Sequence, residues 1–137
     1  MPCFKNAQEI NEISLLDRAF HYGDGCFSTA RVRHGKIELE HLHMARLHLS
    51  CERLLLKADL SLIQKSLGLL RQQFLEVNGT LKIIISRGEG QRGYSLPDHP
   101  ADVWVFFYPK VVDDFQIEKI KSGVLQQALG LTMPSLV

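Results

Sequence analysis

This sequence is short of charge imbalance: 16 Lys and Arg stand against 15 Asp and Glu, a formal +1 with histidine neutral. That balance leaves no electrostatic footprint for nucleic acid or for an anionic membrane surface. Long apolar runs are missing too, and none approaches the ~18 residues of a spanning helix. The opening Met1-Pro-Cys-Phe-Lys5 lacks the charged-then-apolar pattern of a secretory signal. Only three cysteines occur, Cys3, Cys26 and Cys51, too few and too scattered for a disulfide framework. Reduced thiols in a cytoplasmic protein are therefore expected. Repeats, low-complexity tracts and Ser/Gly-rich linkers are all absent, so the 137 residues read as one domain. A chain of this length buries roughly 68% of its unfolded surface, and 45% hydrophobic residues suffice for a core.

Patterning then sets the class. Residues 1–16 read as short strands around a turn at Asn6 and Ala7. Strand formers run from Cys26 to Arg33, His34-Gly35 is a turn dipeptide, and Lys36–Leu39 resumes a strand, which makes a hairpin. A helix is expected from Glu40 to Leu56, with Leu42, Ala45, Leu49 and Arg53 on one stripe, widened by Leu47 and Leu54. A second helix starts at Ser61, with Gln64 completing a capping box. Leu60, Ile63, Leu67, Leu70 and Phe74 form its apolar stripe, and Asn78-Gly79 is its stop. Leu81–Ser86 and Ala101–Tyr108 read as strands, the second closed by Pro109, and Phe115–Lys121 as a further one. Strands, then helices, then strands predict an α+β fold: a mostly antiparallel sheet with a helix pair on one face.

Three segments could carry chemistry. Gly88-x-Gly90-x-x-Gly93 spells a dinucleotide fingerprint after a strand, but that motif needs a helix to begin at its glycines. Pro97 and Pro100 follow instead. A mobile loop carrying Arg87, Arg92 and Tyr94 is the better reading, since guanidiniums and a phenol suit carboxylates. A plain solvated loop is the bland alternative. The second segment is Gly23-Asp24-Gly25, which implies a tight backbone path with positive φ. It leads to Thr29, whose hydroxyl either faces a site or joins a cross-strand pair. In the third, His41 and His48 share a helical face near Cys51. No zinc-type spacing supports a metal there, and a partly exposed helix face accounts for them. Arg46 lies between Ala45 and Leu47 on the more apolar side of the helix. A buried arginine needs an anion, either a carboxylate or a phosphate.

These segments together resemble the N-terminal half of the fold-type IV pyridoxal 5′-phosphate enzymes. The likeness runs in order through Asp17-Arg18, Gly23-Asp24-Gly25, Thr29-Ala30-Arg31-Val32, His43-Met-Ala-Arg46-Leu47 and Ser86-Arg87-Gly88…Arg92-Gly93-Tyr94. Within that family, the Gly-Asp-Gly-Cys-Phe-Ser-Thr-Ala-Arg-Val wording is most similar to the aminodeoxychorismate lyases. The resemblance implies pyridoxal 5′-phosphate as cofactor and Arg46 as its phosphate contact. It also implies Arg92 and Tyr94 as binders of substrate carboxylates, and Thr29 as a proton donor to the departing enolpyruvate. A homodimer acting on a small molecule, 4-amino-4-deoxychorismate, is implied as well, with no nucleic acid and no membrane partner. A branched-chain or D-amino acid aminotransferase of the same fold remains open. So does a non-catalytic binding or dimerisation module.

Pyridoxal chemistry needs a Schiff-base lysine. Lys5, Lys36, Lys57, Lys65, Lys82, Lys110, Lys119 and Lys121 are the lysines present, and none sits in the family's lysine context. In the family that lysine follows a segment resembling Ala128-Leu-Gly-Leu-Thr-Met-Pro-Ser-Leu-Val137. The expectation is that residues 1–137 form the N-terminal small domain of a two-domain enzyme, with the C-terminal domain absent from this chain. The 137 residues alone should then release little or no pyruvate from 4-amino-4-deoxychorismate. Normal turnover by a preparation of this length would refute the missing-lysine argument.

Overall fold

Alternate residues of three long strands decide which face of the sheet is dry. Ser28, Ala30 and Val32, then Leu81, Ile83 and Ile85, then Val103, Val105 and Phe107 are all buried. Between them lie Phe27, Thr29 and Arg31, then Lys82 and Ile84, then Phe106, which are exposed or half-buried. The period of two in burial is the pleat of a strand covered on one side.

The computed structural model describes residues 1–90 and 97–110. In chain order the elements are β1 (Cys3–Lys5), β2 (Gln8–Glu9), α1 (Arg18–Tyr22), β3 (Gly25–Arg33) and β4 (Lys36–Ile37). They continue with α2 (Glu40–Leu54), α3 (Ser61–Gln73), β5 (Gly79–Ser86) and β6 (Asp102–Pro109). The strands form one antiparallel sheet in the order β2-β1-β6-β5-β3-β4. Register places Ile83 between Ser28 and Val105, and Lys82 between Thr29 and Phe106. The covered face packs on both long helices through Leu47 and Cys51 of α2 and Ile63, Leu67 and Leu70 of α3. Phe74 meets Phe107 edge-on at 5.2 Å between ring centroids. The α+β expectation, with a helix pair on one face, holds.

Both predicted turns form as two-residue hairpins. Asn6 and Ala7 have φ of 52° and 60°, and His34 and Gly35 have φ of 50° and 74°. Two successive positive φ values are what a tight hairpin between twisted strands requires. The His34 amide donates to Asn78 Oδ1 at 2.7 Å, and Arg71 Nη2 donates to the Gly35 carbonyl at 2.6 Å.

Four expectations need correction. On α2 the buried side runs through Leu47 and Cys51, while Leu42, Ala45, Leu49 and Arg53 are exposed. The helix has two leucine strips, and the sheet takes the one containing Leu47. The capping box does not form. Asp59 accepts from the Ser61 amide at 3.0 Å and its hydroxyl at 2.6 Å, and Gln64 turns to Glu40. An aspartate two residues upstream outcompetes the reciprocal cap because its carboxylate accepts both donors at once. Asn78-Gly79 does not stop α3, which ends at Gln73; Asn78 braces the His34 turn and Gly79 opens β5. Finally, α1 is a short helix that the periodicity did not reveal. The strand expected at Phe115–Lys121 lies outside the described residues.

Gly68 sits inside α3 with open space where a Cβ would project. Gly68→Ala should therefore stabilise the fold by about 0.5–1 kcal/mol through helix propensity. The check is an upward shift of the urea midpoint at unchanged slope.

Candidate active site

The segment before β3 and the segment after β5 are laced into one unit by two aspartates. Asp17 is buried and caps α1 by accepting from the Phe20 amide at 3.0 Å. Its two carboxylate oxygens also accept from Ser86 Oγ at 3.0 and 2.9 Å. That hydroxyl oxygen in turn accepts from the Gly88 amide at 3.0 Å, and the Arg18 amide donates to the Gly88 carbonyl at 2.8 Å. Gly23 closes α1 in the left-handed region at φ 66°. Gly25 then passes so close to β5 that a Cβ would stand 2.3 Å from the Ile85 carbonyl oxygen. The tight path expected of Gly23-Asp24-Gly25 is therefore real: one glycine for conformation, the other for contact.

Asp24 is the second aspartate. Its Oδ2 accepts from Arg18 Nε at 2.9 Å and Arg87 Nε at 2.8 Å. All three side chains are mostly buried. Burial pushes the Asp24 carboxyl up, but the hydrogen bonds and charges of Arg18 and Arg87 outweigh it and hold it below the usual carboxylate range. Arg87 also donates through Nη2 to the Leu54 carbonyl at 2.6 Å and through Nη1 to the Leu55 carbonyl at 3.3 Å. Those are carbonyls left over at the end of α2, where a cation is favoured. Arg87 is thus a structural clamp. The expectation that it reaches from a loop toward ligand carboxylates is overturned, because its Nε and both Nη atoms already donate to groups of the fold.

On the open face of the sheet a cavity of about 430 Å³ lies beside α1. Phe20, Phe27, Ile84, Trp104 and Phe106 make it apolar, and Lys82 supplies its one ammonium among the described lining residues. The Lys82 Nζ stands 5.3 Å from the Phe27 ring centroid, within cation–π reach. Such a surface suits a flat, anionic small molecule.

The sequence-derived site residues do not all converge. Thr29 is exposed on the open face, directly opposite Lys82 in register. Arg46 belongs to α2, which packs on the covered face. Neither lines the cavity. Arg46 is also exposed, so the inference of an anion from burial falls; the α2 face that carries it points away from the core strip through Leu47. Its donors nonetheless fit a phosphate, since among the described residues Arg46 makes no side-chain hydrogen bond or ion pair. Arg31 and Arg53 are equally unengaged, and motif context alone selects Arg46. Arg92 and Tyr94 lie outside the described residues. His41 and His48 are exposed while Cys51 faces the core, so the three do not converge. Burial, and then the neighbouring Cys51, pushes the Cys26 thiol up to about 12, far from a neutral-pH nucleophile. Sequence reasoning missed Ser28, whose Oγ lies 2.7 Å from His43 Nδ1. The only signal for it was the position of His43 in the helix motif.

Comparison with known proteins gives the family and the fold. The family model for amino-transferase class IV matches residues 25–128. An aminodeoxychorismate lyase from Vibrio harveyi is 30% identical over 130 residues, covering 87% of this chain and 45% of the relative. A D-alanine aminotransferase from Staphylococcus epidermidis is 29% identical over 128 residues, covering 88% and 45%. The crystal structure of 4-amino-4-deoxychorismate lyase from Pseudomonas aeruginosa superposes with a TM-score of 0.70 at 32% identity, covering 84% of this chain and 43% of that one. The chain therefore spans less than half the length of these three relatives.

A depressed carboxyl contributes stability that is full above its ordinary value near ~3.9 and is lost as pH falls through the folded value. Asp24→Asn should cost about 2–3 kcal/mol at pH 7, by leaving two mostly buried guanidiniums without their carboxylate. The gap between parent and variant should narrow as pH drops below about 4. Urea unfolding at a series of pH values reads both effects, and a gap that widens in acid would contradict the sign.

Proposed function

The chain belongs to the amino-transferase class IV family, and from that premise we propose that its protein is a 4-amino-4-deoxychorismate lyase. The product pair would be 4-aminobenzoate and pyruvate, formed for folate synthesis. Two lyases of this name, at 30% and 32% identity, support the reading. Family members are pyridoxal-phosphate-dependent lyases and aminotransferases. When bound, the cofactor supplies an electron sink for negative charge on the carbon bearing the substrate's amino group.

The chain's own residues do the rest. Arg46 pairs with the cofactor phosphate, for which a planar guanidinium fork is well suited. Arg92 and Tyr94 orient the two carboxylates of the substrate. The proton on the amine-bearing carbon goes to a base outside these residues, the C–O bond to the enolpyruvyl group breaks with its electron pair, and the ring is left aromatic. The Thr29 hydroxyl hands its proton to the departing enolpyruvate, giving pyruvate, and recovers one from that base. Residues 1–137 act as the N-terminal small domain of a two-domain homodimeric enzyme. The lysine that holds the cofactor covalently is then none of the eight in this chain. Among the described residues no helix is long and apolar enough to cross a membrane.

The 29%-identical D-alanine aminotransferase favours a second reading, amino-group transfer to a 2-oxo acid. The two are separated by incubating the protein, expressed from its whole coding frame, with 4-amino-4-deoxychorismate. Stoichiometric pyruvate and 4-aminobenzoate identify the lyase. D-Alanine formation from pyruvate and D-glutamate, without 4-aminobenzoate, identifies the transferase. Arg46→Ala should weaken cofactor binding roughly 10- to 100-fold, the worth of a charge-assisted hydrogen bond or two. Unchanged affinity in a cofactor titration would remove Arg46 from the site.

A further inference from the structure

We infer that His43, held by Ser28, is a positioning residue that aims Arg46 at the cofactor phosphate. The inference rests on the reading of Arg46 given above. It starts from how α2 begins. Leu39, at the N-cap, has φ 54° and makes no side-chain cap hydrogen bond. A branched residue in the left-handed region is strained. The Leu42 and His43 amides both turn back to the Leu39 carbonyl, and Gln64 of α3 donates to Glu40, so the entry of α2 is set partly from outside its own first turn. Something from the rest of the fold has to fix its rotation and height.

Ser28 does this. It is 2% exposed, sits on the covered face of β3 between Cys26 and Ala30, and opposes Ile83 in register. Its Oγ lies 2.7 Å from His43 Nδ1. A buried hydroxyl among apolar side chains strongly needs a partner, so this bond is a tight constraint rather than an ornament. The hydroxyl can donate to Nδ1 or accept from it, according to the tautomer of the ring. A Ser–His contact also suggests nucleophilic catalysis, but the burial of Ser28 closes its hydroxyl to any substrate.

Helical spacing carries the constraint to Arg46. His43 and Arg46 are three apart and so neighbours on the helix surface, as are His43 and Leu47 four apart. Leu47 is fully buried. The turn holding Arg46 is thus pinned by a polar bond on one side and an apolar plug on the other. An exposed arginine that makes no side-chain hydrogen bond or ion pair among the described residues takes its placement from the turn that carries it. Positioning a phosphate fork demands placement within about 0.5 Å, which a freely rotating helix start would not hold.

The test uses the full chain, titrated with pyridoxal 5′-phosphate and separately with pyridoxal, which lacks the phosphate, by equilibrium dialysis. His43→Leu should weaken pyridoxal phosphate binding about two- to tenfold, the worth of one hydrogen bond, and leave pyridoxal binding unchanged. Ser28→Ala should do the same. His43→Asn, whose amide can reach the Ser28 hydroxyl, should restore binding to within about twofold of the parent. The double variant His43→Leu/Arg46→Ala should bind no more weakly than Arg46→Ala, because the effect passes through Arg46. Thermal unfolding checks each variant; if His43→Leu fails to fold, Ser28→Ala carries the comparison. Folded His43 and Ser28 variants that keep full phosphate preference, while Arg46→Ala loses it, overturn the inference and spare the reading of Arg46. A parent chain with no preference for the phosphorylated form, or an Arg46→Ala variant that keeps it, overturns the reading of Arg46 itself and the inference with it.

Discussion

One carboxylate oxygen, Oδ2 of Asp24, accepts from two arginines that come from opposite ends of the described chain's functional region. Arg18 brings α1, and Arg87 brings the end of β5 together with the last carbonyls of α2. Two guanidiniums side by side repel, and the shared anion offsets that repulsion where both are mostly buried. Because that anion sits in the turn between Gly23 and Gly25, three separate elements are tied to a single backbone corner. The Asp17–Ser86–Gly88 chain of hydrogen bonds runs parallel to it and closes the same corner from the buried side. With both ties made, α1 is held beside the open face of the sheet, and the cavity has a wall.

The sheet divides labour between its faces. The covered face carries nearly all the fully buried side chains and, with α2 and α3, supplies the hydrophobic stabilisation. The open face carries Phe27, Thr29, Lys82, Ile84 and Phe106, a mixture too polar for a core and too apolar for ordinary solvent contact. Trp104 lies on this face with its Nε1 buried and unpaired among the described residues. The chain covers 45% of one class IV relative and 43% of another. A half-covered sheet with aromatic and cationic residues on its free side is a reasonable platform for a small-molecule site.

Much of this was legible beforehand, and particular residues show why. Ile63, Leu67 and Leu70 announced α3 because a 3.6-residue period has one apolar face and leaves no choice. The turns at Asn6-Ala7 and His34-Gly35 were legible because few residues accept positive φ twice in succession. On α2 the same logic failed, since two leucine strips compete and period alone cannot say which meets the sheet. Arg87 was misread for a related reason. A guanidinium in a glycine-rich loop looks available until its partner, 63 residues away at Asp24, is known. The capping box at Ser61 does not form because the Asp59 carboxylate takes both the Ser61 amide and its hydroxyl.

The antiparallel α+β class, the hairpin positions and the order of motifs that places the chain in its family can be read from the residues without coordinates. These follow from local rules: strand and helix periods, turn stereochemistry, and residue types at short spacing. That Arg87 is a clamp, that Arg46 stands in the open, and that Ser28 holds His43 emerge with the packed fold. Each of those depends on which distant group a polar side chain meets once the chain has closed. Hydrogen bonds and ion pairs act over about 3 Å, and no pattern of neighbours in sequence reports which groups folding brings that close.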